Sequence, residues 1–274
     1  MLNIAIKSVR DWIEYKEMSG LPSFSHAEVC AAFPRFSPHA VSSELSRLVR
    51  SGLIVSVHKG FFVTVPTSYK LTGIVPPLFY IDDLFRHLGR PYYASLLTAA
   101  KMWGASHQMA QMEFVTTIKP AISMSKERRS SLKWVYRSSV PEKLVCTRNG
   151  EGGVIRYSSA EFTALDLVQY EHLVGGLSAV ATVLADLVEA VDFSKCDVKA
   201  LFDAIKGTVV QRTGHILEEV LGEKDHADAL YEAYRSSGAN LSWTNLHPAA
   251  KSGVTGLDER WKVRVNYKVE PDET

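Results

Sequence analysis

The stretch PRFSPHAVSSELSRLVRSGLI constrains the chain most, because it carries a full set of helix boundary signals around one amphipathic pattern. Ser37 is a good N-cap, Pro38 suits the first helical position, where its missing N–H costs nothing, and Gly52 suits the left-handed position after the helix end. Between them Val41, Leu45, Leu48 and Val49 recur at helical spacing and make one stripe for burial. The opposite face holds His39, Ser42, Ser43, Ser46, Arg47 and Arg50: small hydroxyls, two arginines and almost no acid. Such a face offers hydrogen bonds to a groove without a barrier of bulky charge, and its arginines can reach guanine edges or phosphates.

The flanking residues give this helix a setting. Residues 4–18 have a helical stripe of Ile4, Val9, Trp12 and Ile13, stopped by Gly20. In SFSHAEVCAAF, Ser25 stands three residues before Glu28, the spacing of a capping box, and predicts a short second helix. After the third helix, IVSV and FFVTV read as two strands around a tight turn in which Gly60 takes a positive φ. Helix, helix, capped polar helix and basic-tipped hairpin, in that order, spell a winged helix-turn-helix, with His58 and Lys59 joining the third helix as DNA-facing residues.

Residues 66–77, PTSYKLTGIVPP, read as a linker. The expected domains are therefore 1–66, a linker at 67–77, and 78–274. In the second, FYIDDLFRHLG and PYYASLLTAAKMWGA read as helices, the latter opened by Pro91 and closed by Gly104. EFVTTI, LKWVYR, KLVC and GVIRYS read as strands of a small antiparallel sheet. Five helical stretches follow from SSAEFTALDLVQY onward, predicting a helical bundle, and WKVRVNYKV alternates as a strand returning to the sheet. The fold class is α+β: an N-terminal winged helix-turn-helix and a mixed α+β C-terminal domain.

Composition narrows the function. The 274 residues are 46% hydrophobic and 22% charged, which excludes a disordered chain or a coiled-coil rod. No stretch resembles a signal peptide or a membrane span, so a cytoplasmic location and no membrane partner are expected. Cys30, Cys146 and Cys196 are far apart and odd in number, which supports neither a disulfide framework nor a zinc site. The net charge of +1 hides an uneven spread: +3 over residues 1–70, +6 over 119–148 and −8 over 149–274. A basic front suits a polyanion. Within the +6 segment, Lys126, Arg128, Arg129, Lys133 and Arg137 form a possible second basic surface, with Lys143 nearby and Trp134 and Tyr136 interleaved.

Catalytic signals are sparse. GxSxG, the Walker phosphate loop, GxGxxG after a strand and HExxH are all missing from the sequence. Asp82 and Asp83 read as N-terminal helix charges, Glu218 and Glu219 as surface charges, and His107 and Gln108 as groups just beyond a helix end. A metal-dependent nuclease or transferase would need clustered carboxylates that no spacing nominates. No catalytic residue, metal site or cofactor is expected, and the chain reads as a non-enzyme.

An N-terminal winged helix ending in LSRLVRSGLIVSVHKGFFV, then YYASLLTAAKMWGASHQ, IRYSSAEFTALDLV and GGLSAVATVLADL, resembles the AbiEi-type antitoxins of type IV abortive-infection toxin–antitoxin systems over most of the chain. The resemblance implies a repressor that binds the DNA of its own operon, at an operator with inverted repeats. It also implies a C-terminal domain that neutralises a cognate nucleotidyltransferase toxin, without requiring a stable complex. Carried over, the DNA-reading helix is Pro38 to Ser51 and the wing tip His58 to Gly60. This helix has fewer basic residues than a strong DNA binder would show, a shortfall that paired half-sites would offset. The alternative reading is a ligand-responsive winged-helix transcription factor with no toxin partner.

Overall fold

A computed structural model describes residues 6–105, 112–123 and 132–272. The chain divides into two compact units: Met1–Tyr93, Gln111–Val140 and Thr147–Arg156 form the first, and Ala94–Ala110, Pro141–Cys146 and Tyr157–Thr274 the second.

The first unit begins with α1 (Val9–Met18), β1 (Ser23–Ser25), α2 (His26–Ala32), α3 (Pro38–Arg50), β2 (Ile54–His58) and β3 (Phe61–Thr64). Local chemistry sets each boundary. Ser8 with Asp11 and Ser25 with Glu28 close capping boxes on α1 and α2. Ser37 accepts from the Ala40 N–H, Pro38 enters α3 at its first turn, and Gly52 leaves it at φ 71°. Gly60 turns the hairpin at φ 73°. The three strands lie antiparallel in the order β1-β3-β2, with an irregular register between Ser56 and His58. This is a winged helix-turn-helix. β1 has only three residues, too few for an alternating pattern to stand out in the sequence.

Period-two alternation places successive hairpin side chains on opposite faces, and here both faces are covered. Phe62 and Ile54 pack with Val9, Ile13, Phe24, Val29, Val41, Leu45 and Leu48, the core under the three helices. Phe61, Val63 and Val57 enter a second core with Tyr80, Ile81, Leu84 and Phe85 of α4 (Ile81–Leu88), joined by Val115 and Leu132. Residues 66–77 lie inside this unit. They form a short 3-10 turn at Thr67–Tyr69 and bury Val75, while Leu71 and Ile74 are exposed.

The remaining strands are β4 (Tyr92–Ala94), β5 (Glu113–Ile118), β6 (Leu132–Arg137), β7 (Val145–Gly150) and β8 (Gly153–Ser158), in the sheet order β6-β5-β4-β8-β7. The expectation of an antiparallel sheet is corrected, because β5 and β6 pair parallel along all six residues and β4 meets β8 in parallel at Ala94 and Tyr157. Alternating residues announce a strand but carry no direction, whereas the thirteen residues between β5 and β6 match the dozen or more that a parallel crossover needs. Pro91 opens no helix. Tyr92–Ala94 are extended, and α5 (Leu96–Met102) starts after Ser95.

The second unit contains α5, α6 (Ala160–Gln169), α7 (Leu177–Leu187), α8 (Val198–Ala204), α9 (Gly207–His215) and α10 (Lys224–Ser236). α6 is buried from Phe162 to Val168, the polar Thr163 and Asp166 included. A small sheet of β9 (Thr244–Asn245), β10 (Gly256–Asp258) and β11 (Val263–Val265) follows, in the order β10-β11-β9. The WKVRVNYKV run therefore does not return to the five-stranded sheet. Lys262 sits at φ 53° inside a turn, which shortens the strand to three residues.

α9 holds this C-terminal segment through buried polar side chains. Gln211 donates to the carbonyls of Ser242 (2.7 Å) and Trp261 (2.6 Å), and Arg212 donates from Nε to the Leu246 carbonyl (2.7 Å) and also pairs with Glu171. His215 Nδ1 lies 2.7 Å from Asp258 Oδ2. Beyond α9 the helix widens into a π-type turn at Ile216–Val220. Glu218 there is not the surface charge expected of it, because it accepts from Trp261 Nε1 and Arg260 Nη1, each at 2.8 Å.

Trp261 is fully buried, with its indole against Gly214. A Cβ at Gly214 would stand 2.2 to 2.3 Å from three indole atoms that the Glu218 hydrogen bond holds in place. Alanine gains about 1 kcal/mol of helix propensity over glycine, but overpacking a rigid ring costs about 1 to 3 kcal/mol or more, so the clash wins. Gly214→Ala should lower the urea midpoint, and an unchanged midpoint would show that the indole can move. Burial alone would raise the Asp258 carboxyl, yet hydrogen bonds from His215 and the Trp261 N–H bring it below its ordinary value. A lowered carboxyl stabilises above its unfolded pKa and loses that contribution as pH falls through the folded value. Asp258→Asn should therefore reduce the melting temperature at pH 7, with the gap to the parent closing below about pH 4.

Candidate nucleic-acid interface

All six side chains expected on the polar face of α3 are exposed. At about 100° per residue, His39, Ser43, Ser46 and Arg50 fall within roughly 60° of one another, and Ser42 and Arg47 flank them on either side. Val41, Leu45 and Leu48 occupy the opposite side in the core, so burial of one stripe fixes the outward aim of the other. From His39 to Arg50 this line runs about 16 Å, at about 1.5 Å per residue.

The hydroxyls differ in what they offer. Ser42 donates to the Pro38 carbonyl (2.9 Å) and Ser46 to the Ser42 carbonyl (2.8 Å), which leaves their oxygens as outward acceptors. Ser42 Oγ also lies 2.9 Å from His26 Nε2 of α2, tying the two helices. Ser43 makes no such bond and keeps both roles. In the turn between α2 and α3, Phe33 and Phe36 stack at 5.8 Å. Arg35 stands between them, exposed and in no ion pair. Sequence reasoning passed over Arg35, although a basic residue two positions before the N-cap was its visible signal.

The two arginines on α3 are not equivalent. Arg47 forms a two-pronged pair with Glu44, Nε to Oε2 at 2.9 Å and Nη2 to Oε1 at 2.6 Å. That hydrogen bonding, with the arginine charge, holds the Glu44 carboxyl below its ordinary value. The pair is exposed, and such pairs contribute about 0 to 1 kcal/mol, so it partly masks Arg47 without immobilising it. Arg50 has no ion pair and sits near the centre of the exposed arc. It is the more available cation.

On the hairpin, Lys59 is exposed at the tip, and the Gly60 carbonyl beside it accepts from the His26 N–H (2.8 Å), bracing the wing against α2. His58 is half-buried, with its ring centroid 6.4 Å from that of His87 on α4. Burial, then the neighbouring His87, push the His58 imidazole below its ordinary pKa, so Lys59 supplies the wing's charge.

The second basic surface is seen only in part. Lys126, Arg128 and Arg129 lie outside the described residues, as do His107 and Gln108. Lys133 and Arg137 share one face of β6 with Val135, and the Lys133 ammonium lies 5.7 Å from the centre of the Phe114 ring. Asp82 and Asp83 both pair with Arg86 in the first turns of α4. Among the described residues no three His, Cys, Asp or Glu side chains gather as a metal site. No helix among them is long and apolar enough to cross a membrane.

The architecture has a solved counterpart. The RV2827C protein from Mycobacterium tuberculosis superposes with a TM-score of 0.65 at 12% identity, over 92% of this chain and 89% of that one, a likeness of fold. Residues 93–219 match the AbiEi antitoxin C-terminal domain family. The chain therefore carries an AbiEi antitoxin C-terminal domain over residues 93–219. The matched span runs from β4 through α9 and stops before α10 and the small C-terminal sheet. No curated protein sequence matches the chain significantly.

Proposed function

We propose that this chain is an AbiEi-type antitoxin and also the repressor of its own operon, a cytoplasmic, non-enzymatic protein of the type IV kind. Residues 1–66 read double-stranded operator DNA, α3 entering the major groove and Lys59 of the wing touching the backbone. Residues 78–274 neutralise a nucleotidyltransferase toxin. The observation that carries the DNA reading is the outward arc of His39, Ser43, Ser46 and Arg50 on a helix whose other side is locked into a core. Helix-turn-helix modules place such a face against base edges, and arginine against guanine O6 and N7 is the commonest specific contact. The antitoxic role rests on the family match over residues 93–219, and the nucleotidyltransferase target on the resemblance of the four sequence blocks.

A gel-shift titration on the upstream DNA and on unrelated DNA tests the DNA reading. Arg50→Ala should cost about 1 to 3 kcal/mol of operator affinity, roughly 5- to 150-fold. Arg47→Ala should cost less, because Glu44 already offsets part of its charge. Glu44→Gln should tighten binding, most clearly at low salt. Arg50→Ala binding like the parent would refute the α3 assignment. In cells co-expressing the neighbouring toxin, Arg50→Ala should still protect from growth arrest while losing repression. Loss of protection in that variant would contradict the division of labour between the two regions.

A further inference from the structure

The outward arc of α3 presents hydrogen-bonding groups whose roles are fixed to different degrees. Arg50 only donates. Ser43 is exposed, and its hydroxyl makes no hydrogen bond among the described residues, so it turns freely to give or to take. Ser42 is spent: its proton goes to the Pro38 carbonyl at 2.9 Å, and His26 Nε2 stands 2.9 Å from the same oxygen. The Cys30 sulfur lies 3.6 Å from Nδ1 of that ring, so the thiol donates to Nδ1 and the ring donates from Nε2 to Ser42.

Ser46 differs from all three. Its proton goes to the Ser42 carbonyl at 2.8 Å, and its exposed oxygen faces solvent with lone pairs alone. Turning the proton outward would break that bond, at a cost of roughly 2- to 12-fold in an equilibrium, the net worth of one ordinary hydrogen bond. Ser46 lies within about 40° of Arg50 around the helix and about 6 Å from it along the axis. Its neighbours one turn back, Ser42 and Ser43, are equally short, so nothing bulky on that line holds the backbone away from a groove floor.

In the major groove adenine and cytosine each present an amino group, whereas guanine and thymine each present a carbonyl oxygen. An oxygen restricted to accepting is matched by either amino group and is opposed, lone pair to lone pair, by either carbonyl. Every base pair holds one amino base and one keto base, so such a residue does not separate A·T from G·C. It separates the two strands. We propose that Ser46 is a specificity-determining residue that selects adenine or cytosine over guanine or thymine on the strand it faces, within about two base pairs of the guanine read by Arg50. This inference rests on the operator reading of α3 and adds a second, degenerate letter to it.

Competitive gel shifts on the upstream DNA, with each base pair around the Arg50-dependent guanine changed to all four in turn, test it. One position is expected at which adenine and cytosine bind within about twofold of each other, and guanine and thymine about fivefold or more weaker. Ser46→Ala, an exposed and helix-favouring change, should bring all four bases at that position within about twofold, while Ser43→Ala leaves the ranking there unchanged. Replacing the amino base by purine or 2-pyrimidinone, which lack the amino group, should weaken the parent and leave Ser46→Ala unaffected. The same amino-over-keto ranking in Ser46→Ala, or a parent that ranks no position in this way, would overturn the role of Ser46 while leaving Arg50 and the operator reading intact. A parent that does not prefer its upstream DNA to unrelated DNA would instead remove the operator reading, and the second letter with it.

Discussion

The first unit depends on one stripe of apolar side chains. Val41, Leu45 and Leu48 bury one side of α3 against α1, α2 and the hairpin, and that burial alone decides which side of the helix meets solvent. A fully buried aliphatic side chain contributes about 1.5 to 3 kcal/mol, so three of them hold the rotation of α3 far more firmly than any surface pair. Ser37 and Gly52 fix where the helix begins and ends, and hence which residues lie on the outward arc. The hairpin completes the constraint. With Phe62 in one core and Phe61 and Val63 in another, the wing cannot swing independently of α3 or α4.

The second unit solves a different problem, the attachment of a C-terminal segment with little regular structure. Hydrophobic burial has no direction and cannot set the register of such a segment. α9 therefore uses Gln211, Arg212 and His215, each reaching a carbonyl or carboxylate in residues 242–261. Trp261 supplies the apolar anchor, and the absence of a side chain at Gly214 makes room for it. The π-type turn at Ile216–Val220 puts Glu218 where it binds both the indole N–H and Arg260. The AbiEi family match ends just there, at residue 219.

Features governed by local chemistry were readable in the sequence. Ser25 with Glu28, Ser37 with Pro38, and glycines 52 and 60 announce caps and turns because each acts on backbone groups within a few residues. The outward face of α3 was readable for the same reason, since helical periodicity is a local property. Features decided at long range were not. The parallel pairing of β5 and β6, the separation of β11 from the five-stranded sheet, and the role of Glu218 all depend on partners tens of residues away. Proline and glycine in residues 66–77 signalled a linker because composition reports turns but not the burial of Val75. Arg47 looked like an open cation, because the sequence ranked it by type while the Glu44 pair one turn away tempers it.

The central assertion is that the exposed arc of α3 lies in a major groove with Arg50 against a guanine. Dimethyl sulfate methylates guanine N7, the atom such an arginine covers, so protection of the upstream DNA by the parent and by Arg50→Ala is the most direct test. Protected guanines repeated in each half of the operator, with one protection per half lifted in Arg50→Ala and the others intact, would place the arginine where this reading puts it. A methylation pattern unchanged by bound protein, or identical for the parent and Arg50→Ala, would mean that α3 does not read the groove through Arg50.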